Sequence, residues 1–320
     1  MCEPFLKREL GVNLHGIKSF SLGLHLSRTI IFPMLRILIS IIIVIFSCAE
    51  NKDLDVYDSN IHMGTDATFD IITWNIENFP KHSSTVEYLL ELIPIINADI
   101  IALQEIESET DFQNLISSLE NYDGIKTNSA SFNLDLALLY SNNLEVKSTK
   151  EIFTDDWWSF PRSPLVTHII WNGLDLYIIN NHFKANENGT EDEARRKSAS
   201  ENLEDYINEY LYGENVIILG DLNDELNENA SVNVFQNFID NSSNFIFTDM
   251  SIAVGSSSNW SYPSWPSHLD HILITNELFD EFTNTESSVQ TIRIEETLDA
   301  GWIEYEKYIS DHRPVGLSLK

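Results

Sequence analysis

The chain has 320 residues, 43% hydrophobic and 11% aromatic, enough apolar material for one large domain or two small ones. Against 19 Lys and Arg stand 50 Asp and Glu, a formal charge of −31. That balance argues against a basic nucleic-acid groove, although a divalent cation can neutralise a phosphate locally and keep such a substrate open. Cys2 and Cys48 have no partner at metal-ligand spacing, so a thiolate zinc site or a disulfide framework has little support.

In chain order, the first feature is MLRILISIIIVIFSCAENKD from Met34. Arg36 precedes a short apolar run, Ile37 to Phe46, too brief for a membrane span of ~20 residues. Ser47-Cys48 and a polar chain follow, the layout of a secretory signal. Ile45-Phe46-Ser47-Cys48 resembles a bacterial lipobox, which implies lipidation at Cys48 and anchoring in the bacterial cell envelope, outside the cytoplasm. The alternative is an ordinary signal peptide or membrane anchor with an incidental cysteine. Residues 1–33 do not look like a charged leading region, so translation is expected to begin at Met34 and residues 1–47 to be removed.

Residues 48–68 are polar and aperiodic, as a tether would be, and the folded domain is expected over 69–320. Strand-length apolar runs follow: FDIITW (69–74), DIIALQE (99–105), LDLALLY (134–140), LVTHIIW (165–171), LDLYIINNHF (174–183), NVIILGD (215–221) and HLDHILIT (268–275). TVEYLLELIPII (85–96) and EDEARRKSASENLEDYINEYL (191–211) have helical spacing, the second with acids at its start. Asn172-Gly173 suits a hairpin turn. Strands joined both by hairpins and through helices predict an α+β sandwich.

Polar residues recur at the ends of the buried runs: Asn75 and Glu77, Glu105, His182, Asp221 and Asn223, Asp270 and His271, Asp311 and His312. Strand ends on one rim converge in space, and carboxylates, amides and imidazoles without cysteine favour hard cations, Mg²⁺, Mn²⁺ or Ca²⁺.

The segments TWNIEN, ALQEIE, PRSPLV, NNHFKA, GDLND, LDHILIT and SDHRPV resemble, in order, those of the endonuclease/exonuclease/phosphatase superfamily. That family includes pancreatic-type deoxyribonuclease, exonuclease III, neutral sphingomyelinases and inositol polyphosphate phosphatases. The resemblance implies a four-layer sandwich of two mixed, mainly antiparallel sheets flanked by helices, and metal-dependent phosphoester hydrolysis.

It further implies a metal site of Glu105 with Asn75 and Asp311, with His312 taking a proton from the attacking water while Asp270 fixes its tautomer. Asp221 would orient that water and Asn223 would bind a phosphate oxygen, although an Asx turn is the plain alternative for both. His182 resembles the second family histidine, which binds phosphate or protonates the leaving oxygen, and its acidic partner is not identifiable. Arg162 resembles a phosphate-contacting arginine, its planar fork matching two oxygens; the alternative is a surface ion pair. Lys184 is a weaker candidate, and the loop aromatics Trp157, Trp158, Trp260, Tyr262 and Trp265 receive no role. The expected activity is a nuclease-type phosphodiesterase acting on nucleic acid, with no protein partner. Lipid phosphodiesterase, phosphomonoesterase and a non-catalytic phosphate-binding module are the alternatives.

Overall fold

The computed structural model describes residues 61–320. The signal region 1–47, Cys48 and residues 49–60 of the tether lie outside the described residues. No helix among those described is long and apolar enough to cross a membrane.

Two six-stranded sheets form the body. The first runs β11-β12-β1-β2-β4-β3, from β1 (Phe69–Phe79), β2 (Ile100–Ile106), β3 (Tyr122–Lys126), β4 (Asp135–Ser141), β11 (Ser288–Thr291) and β12 (Val315–Leu319). The second runs β5-β6-β7-β8-β10-β9, from β5 (Glu145–Glu151), β6 (Leu165–Trp171), β7 (Leu174–His182), β8 (Val216–Asp221), β9 (Phe245–Phe247) and β10 (Asp270–Thr275). Only β1/β2 and β7/β8 pair in parallel, so the sheets are mixed and mainly antiparallel, as expected.

The central strands are apolar on both faces because both faces are covered. Ile71, Ile100, Ala102, Leu138, Ile178, Ile217, Leu219 and Ile272 belong to the core between the sheets. The alternate residues Ile72, Ile101 and Leu103 pack with Leu89, Ile93 and Ile96 of α1 (Thr85–Ile96). On the other sheet Ile179, Val216 and Ile218 pack with Ala199, Leu203 and Ile207 of α3 (Thr190–Tyr210). The layers are therefore helix, sheet, sheet, helix. Phe112 and Leu115 of α2 (Glu109–Ser118) join the same cluster as α1; this helix is capped by Ser108, whose side chain accepts from the Asp111 N–H. The hairpin is formed as the sequence suggests, with Asn172 and Gly173 at φ 48° and 87°.

Ile61 and Met63 are buried against this core, and the Met63 N–H donates to Ile96 O at 3.0 Å. The segment 61–68 is thus packed on the domain and does not belong to a free tether. Behind the rim that carries the polar strand ends, an amide seam joins the sheets. Gln104 Nε2 donates to Asn180 Oδ1 at 2.8 Å, and Asn180 Nδ2 donates to Leu103 O and Ala137 O at 3.0 and 2.9 Å. Each amide is fully buried and satisfied, so the seam fixes how the sheets lie on each other.

Candidate active site

Strand register brings the polar ends together. His182 pairs with Asp221 across β7/β8, and Asp270 pairs with Asp221 across β8/β10, setting three functional residues side by side at one sheet end. Gly220 permits this: at φ 148°, a Cβ there would lie 2.0 Å from Asn181 O. The first sheet supplies the opposite lip, with Asn75 beside Gln104 and Glu105 following at a break in the β1/β2 register. Glu77, Asn78, Glu105 and Asn223 all take positive φ, between 39° and 66°. Left-handed backbone at non-glycine residues is costly, and its concentration on this rim marks a site held by its surroundings.

The cleft between the lips encloses about 860 Å³ and is lined by Asn75, Glu105, Arg162, His182, Asp221, Asn223, Asp311 and His312. Asp270 stands just behind, where Oδ2 meets His312 Nδ1 at 2.7 Å. All nine residues singled out on the domain are therefore assembled.

His312 is fixed from every side. Its N–H donates to Ser310 Oγ at 2.9 Å, and Tyr305, itself hydrogen-bonded by the Trp74 indole, donates to its carbonyl. Its Nε2 lies 3.9 Å from Asp221 Oδ2. Burial alone would lower its pKa, but the Asp270 and Asp221 carboxylates outweigh burial and raise it to about 10. Asp221, 2% exposed, is pushed up to about 7, first by burial and then by Asp270 and Glu105, with His312 and the Asn75 amide opposing. His182 moves the other way, held well below its ordinary value by burial and by the positive charge of Arg162 and His312. Its Nε2 is 3.6 Å from Asp221 and 3.8 Å from Glu105, while Nδ1 is buried without a partner. No acidic partner holds His182 in the way that Asp270 holds His312. Burial and the neighbouring positive charges thus favour the neutral imidazole, which can donate one hydrogen bond.

Asn75 Nδ2 donates to Glu105 Oε1 and Asp221 Oδ2 at 3.1 and 2.9 Å, while Oδ1 accepts the Glu77 N–H at 3.0 Å. A backbone N–H can only donate, which fixes the orientation of this amide. Asn75 thus bridges the two carboxylates through nitrogen, and the oxygen expected to ligate a cation is turned away. Among the oxygen donors lining the cleft are Glu105, Asp221 and Asp311. Glu105 is itself braced by the Asn78 N–H at 2.9 Å. These hard, anionic donors fit a divalent cation such as Mg²⁺, Mn²⁺ or Ca²⁺.

Asn223 forms the Asx turn, its N–H closing on Asp221 Oδ1 at 3.1 Å, and its side chain lines the cleft. Arg162 is buried and not a surface ion pair; Nη1 reaches Phe183 O at 3.5 Å, the carbonyl that also takes Asn223 Nδ2 at 3.2 Å. Arg162 Nε has no partner, an unspent donor at the cleft wall.

Three further residues, to which the sequence assigned no role, support the site. Tyr262 sets its ring 4.7 Å from that of His312, Ser261 Oγ receives the Leu269 and Asp270 N–H groups, and Glu77 accepts the Asp311 N–H at 2.9 Å beside Lys81. Glu77 had a signal in the TWNIEN run and Tyr262 only as one of several loop aromatics, while Ser261 had none.

Among solved structures, D. rerio TDP2 complexed with a single-strand DNA product matches at 16% identity and TM-score 0.62, covering 80% of this chain and 100% of that one. The human Nocturnin catalytic domain with bound sulfate matches at 18% identity and TM-score 0.58, covering 79% and 93%. A mannosyl-6-phosphatase of Bacteroides thetaiotaomicron matches at 14% identity and TM-score 0.57, covering 79% and 99%. At such identities the likeness is one of fold. No curated protein matches the sequence. The family model described as Endonuclease/Exonuclease/phosphatase family matches residues 72–312, a span that runs from β1 to His312. The strand order that gathers the cleft and this match agree, and the chain belongs to the Endonuclease/Exonuclease/phosphatase family, a family of metal-dependent phosphoesterases.

Proposed function

We propose that the chain is a phosphodiesterase dependent on Mg²⁺ or Mn²⁺, acting on nucleic acid and held by a lipid on Cys48 at the bacterial cell envelope, outside the cytoplasm. The observation that carries the catalytic part is the His312–Asp270 pair facing Asp221 in the same cleft as Glu105, Asp311 and Arg162.

Glu105, Asp221 and Asp311 would hold the cation, which would offset negative charge on the phosphoryl group and weaken the potential that keeps His312 protonated. His312 Nε2 then takes the proton of the attacking water, and Asp270 at Nδ1 holds the tautomer and stabilises the imidazolium formed. Asp221 orients the water. Arg162, Asn223 and neutral His182 donate hydrogen bonds to the phosphoryl oxygens as negative charge grows on them.

A second reading, phosphomonoester or headgroup hydrolysis, is favoured by one wall of the cleft. Glu193, Glu225 and Glu228 line it, and Glu228 is pushed up to about 7 by burial and by Asp224, Glu193 and Glu225. Such a wall repels a second phosphate and accepts an uncharged or cationic group.

The test is a panel of plasmid DNA, RNA, bis(p-nitrophenyl) phosphate, p-nitrophenyl phosphate and sphingomyelin with each metal. Cleavage of no phosphoester, or equal rates from His312→Ala, would end the enzymatic reading. For the tether, Cys48→Ser should leave the membrane fraction; unchanged partitioning removes the anchor.

A further inference from the structure

Away from the cleft lining, Asp249, His268 and His271 form a tight polar group inside the second sheet's outer layer, none more than 2% exposed. The group has the spacing of a metal site, but its hydrogen bonds leave no room for one. His268 Nδ1 faces the Ser261 N–H at 3.2 Å and must be bare, so its hydrogen sits on Nε2, which faces Asp249 Oδ2 at 3.0 Å. A protonated ring nitrogen cannot ligate a cation. His271 faces an acceptor on each side, Asp249 Oδ2 at 2.6 Å from Nδ1 and the Asp224 carbonyl at 2.8 Å from Nε2, so both of its nitrogens carry hydrogen. Asp249 Oδ1 accepts the Ile272 N–H at 2.9 Å, and the rings of Phe235 and Phe247 stand edge-on to His271.

The chemistry of the cleft does not use this group, yet it ends on the turn that carries the cleft. Asp224 closes GDLND, three residues after Asp221. Its carboxylate holds Arg196 Nε at 2.8 Å, and Arg196 Nη1 donates at 3.0 Å to Lys184 O, two residues past His182. On the other side His271 adjoins Asp270 in β10, with its side chain among the outer-layer rings. A continuous hydrogen-bonded path therefore runs behind the cleft from Asp249 through His271 and Asp224 to the segment bearing His182.

We propose that His271 is a positioning residue for hydrolysis: by holding the Asp224 carbonyl, it fixes the turn carrying Asp221 and Asn223 against β10, where Asp270 orients His312. This rests on the phosphoesterase reading above. Two substitutions separate the contacts. The amide of His271→Asn reaches where Nδ1 stands and keeps Asp249; the amide of His271→Gln reaches where Nε2 stands and keeps Asp224.

With the full chain, Mg²⁺ or Mn²⁺ and bis(p-nitrophenyl) phosphate, His271→Asn should lose on the order of tenfold or more in kcat with KM within about threefold. His271→Gln should recover most of that loss. Wild-type kcat in His271→Asn, or an equal loss in both variants, overturns the proposal. Should either variant fail to fold, imidazole ¹⁵N spectra of the wild-type protein decide the contact. Two protonated His271 nitrogens, one coupled to the Asp224 carbonyl, are expected, and a bare Nε2 overturns it. If the wild type cleaves no phosphoester, the phosphoesterase reading fails instead, and the spectra still judge the contact.

Discussion

Loading the cleft with a divalent cation should turn His312 from an imidazolium into a usable base. Without a cation its pKa is about 10, because Asp270 touches Nδ1 at 2.7 Å and Asp221 lies 3.9 Å from Nε2. A cation bound to Asp221 at a metal–oxygen distance of about 2.1 Å would stand roughly 6 Å from that nitrogen. A +2 and a +1 charge about 6 Å apart, with an effective dielectric constant of ~20, repel by roughly 5 kcal/mol, or about four pKa units. That is enough to bring His312 to about 6, where it is unprotonated at neutral pH. The assay follows the Cε1 proton of His312 by NMR against pH, first in EDTA and then in saturating Mg²⁺. A midpoint near 6.5 in EDTA, or a fall of less than one unit on saturation, refutes the reasoning. Stability follows the same sign. A raised histidine contributes stability that is complete below pH 6.5 and is lost as pH rises through about 10, while Asp221, raised to about 7, costs stability as pH climbs from 3.8 through 7. The metal-free Tm should therefore fall from pH 5 to pH 10, and Mg²⁺ should raise Tm more at pH 8 than at pH 5.

Asp270→Asn removes the carboxylate that orients His312 and should lower kcat by about 10²- to 10⁴-fold in hydrolysis of bis(p-nitrophenyl) phosphate at pH 7, with the fold intact by circular dichroism. Arg162→Ala removes a buried donor at the cleft wall; if it binds phosphate, charge-assisted contacts worth roughly 2 to 3 kcal/mol predict a KM higher by about 30- to 160-fold. A KM within a factor of two makes Arg162 structural. Gly220→Ala places a Cβ 2.0 Å from Asn181 O, and the overpacking should cost about 3 kcal/mol and lower Tm by roughly 6 °C or more. Calorimetry checks this, and an unchanged Tm means that β7 and β8 separate easily.

The legible parts of the sequence were those where burial leaves an unbroken apolar run. β1, β2, β4, β6, β7, β8 and β10 were readable because neighbouring layers cover both faces. β5, written EVKSTKE, is an exposed edge strand with charges on it, and β3 and β11 also lie at sheet edges, so no apolar period announces them. The site residues were readable because each ends such a run or sits in a family segment. Tyr262 and Ser261 were not, because their roles exist only once their loop folds back on His312 and Asp270. Protonation states were least legible of all. Which histidine is charged depends on which carboxylates face it, and spacing along the chain does not carry that information.

The amide seam of Gln104 and Asn180 bears on how this protein would fail. Glu105 and Asn75 belong to one sheet, while His182, Asp221 and Asp270 belong to the other. A slip of one pleat between the sheets would therefore part the donors of cation and water without unfolding either half. With both amides spent on partners across the junction, slippage strands buried hydrogen-bonding groups, and activity is expected to persist to the edge of global melting and then vanish along with it.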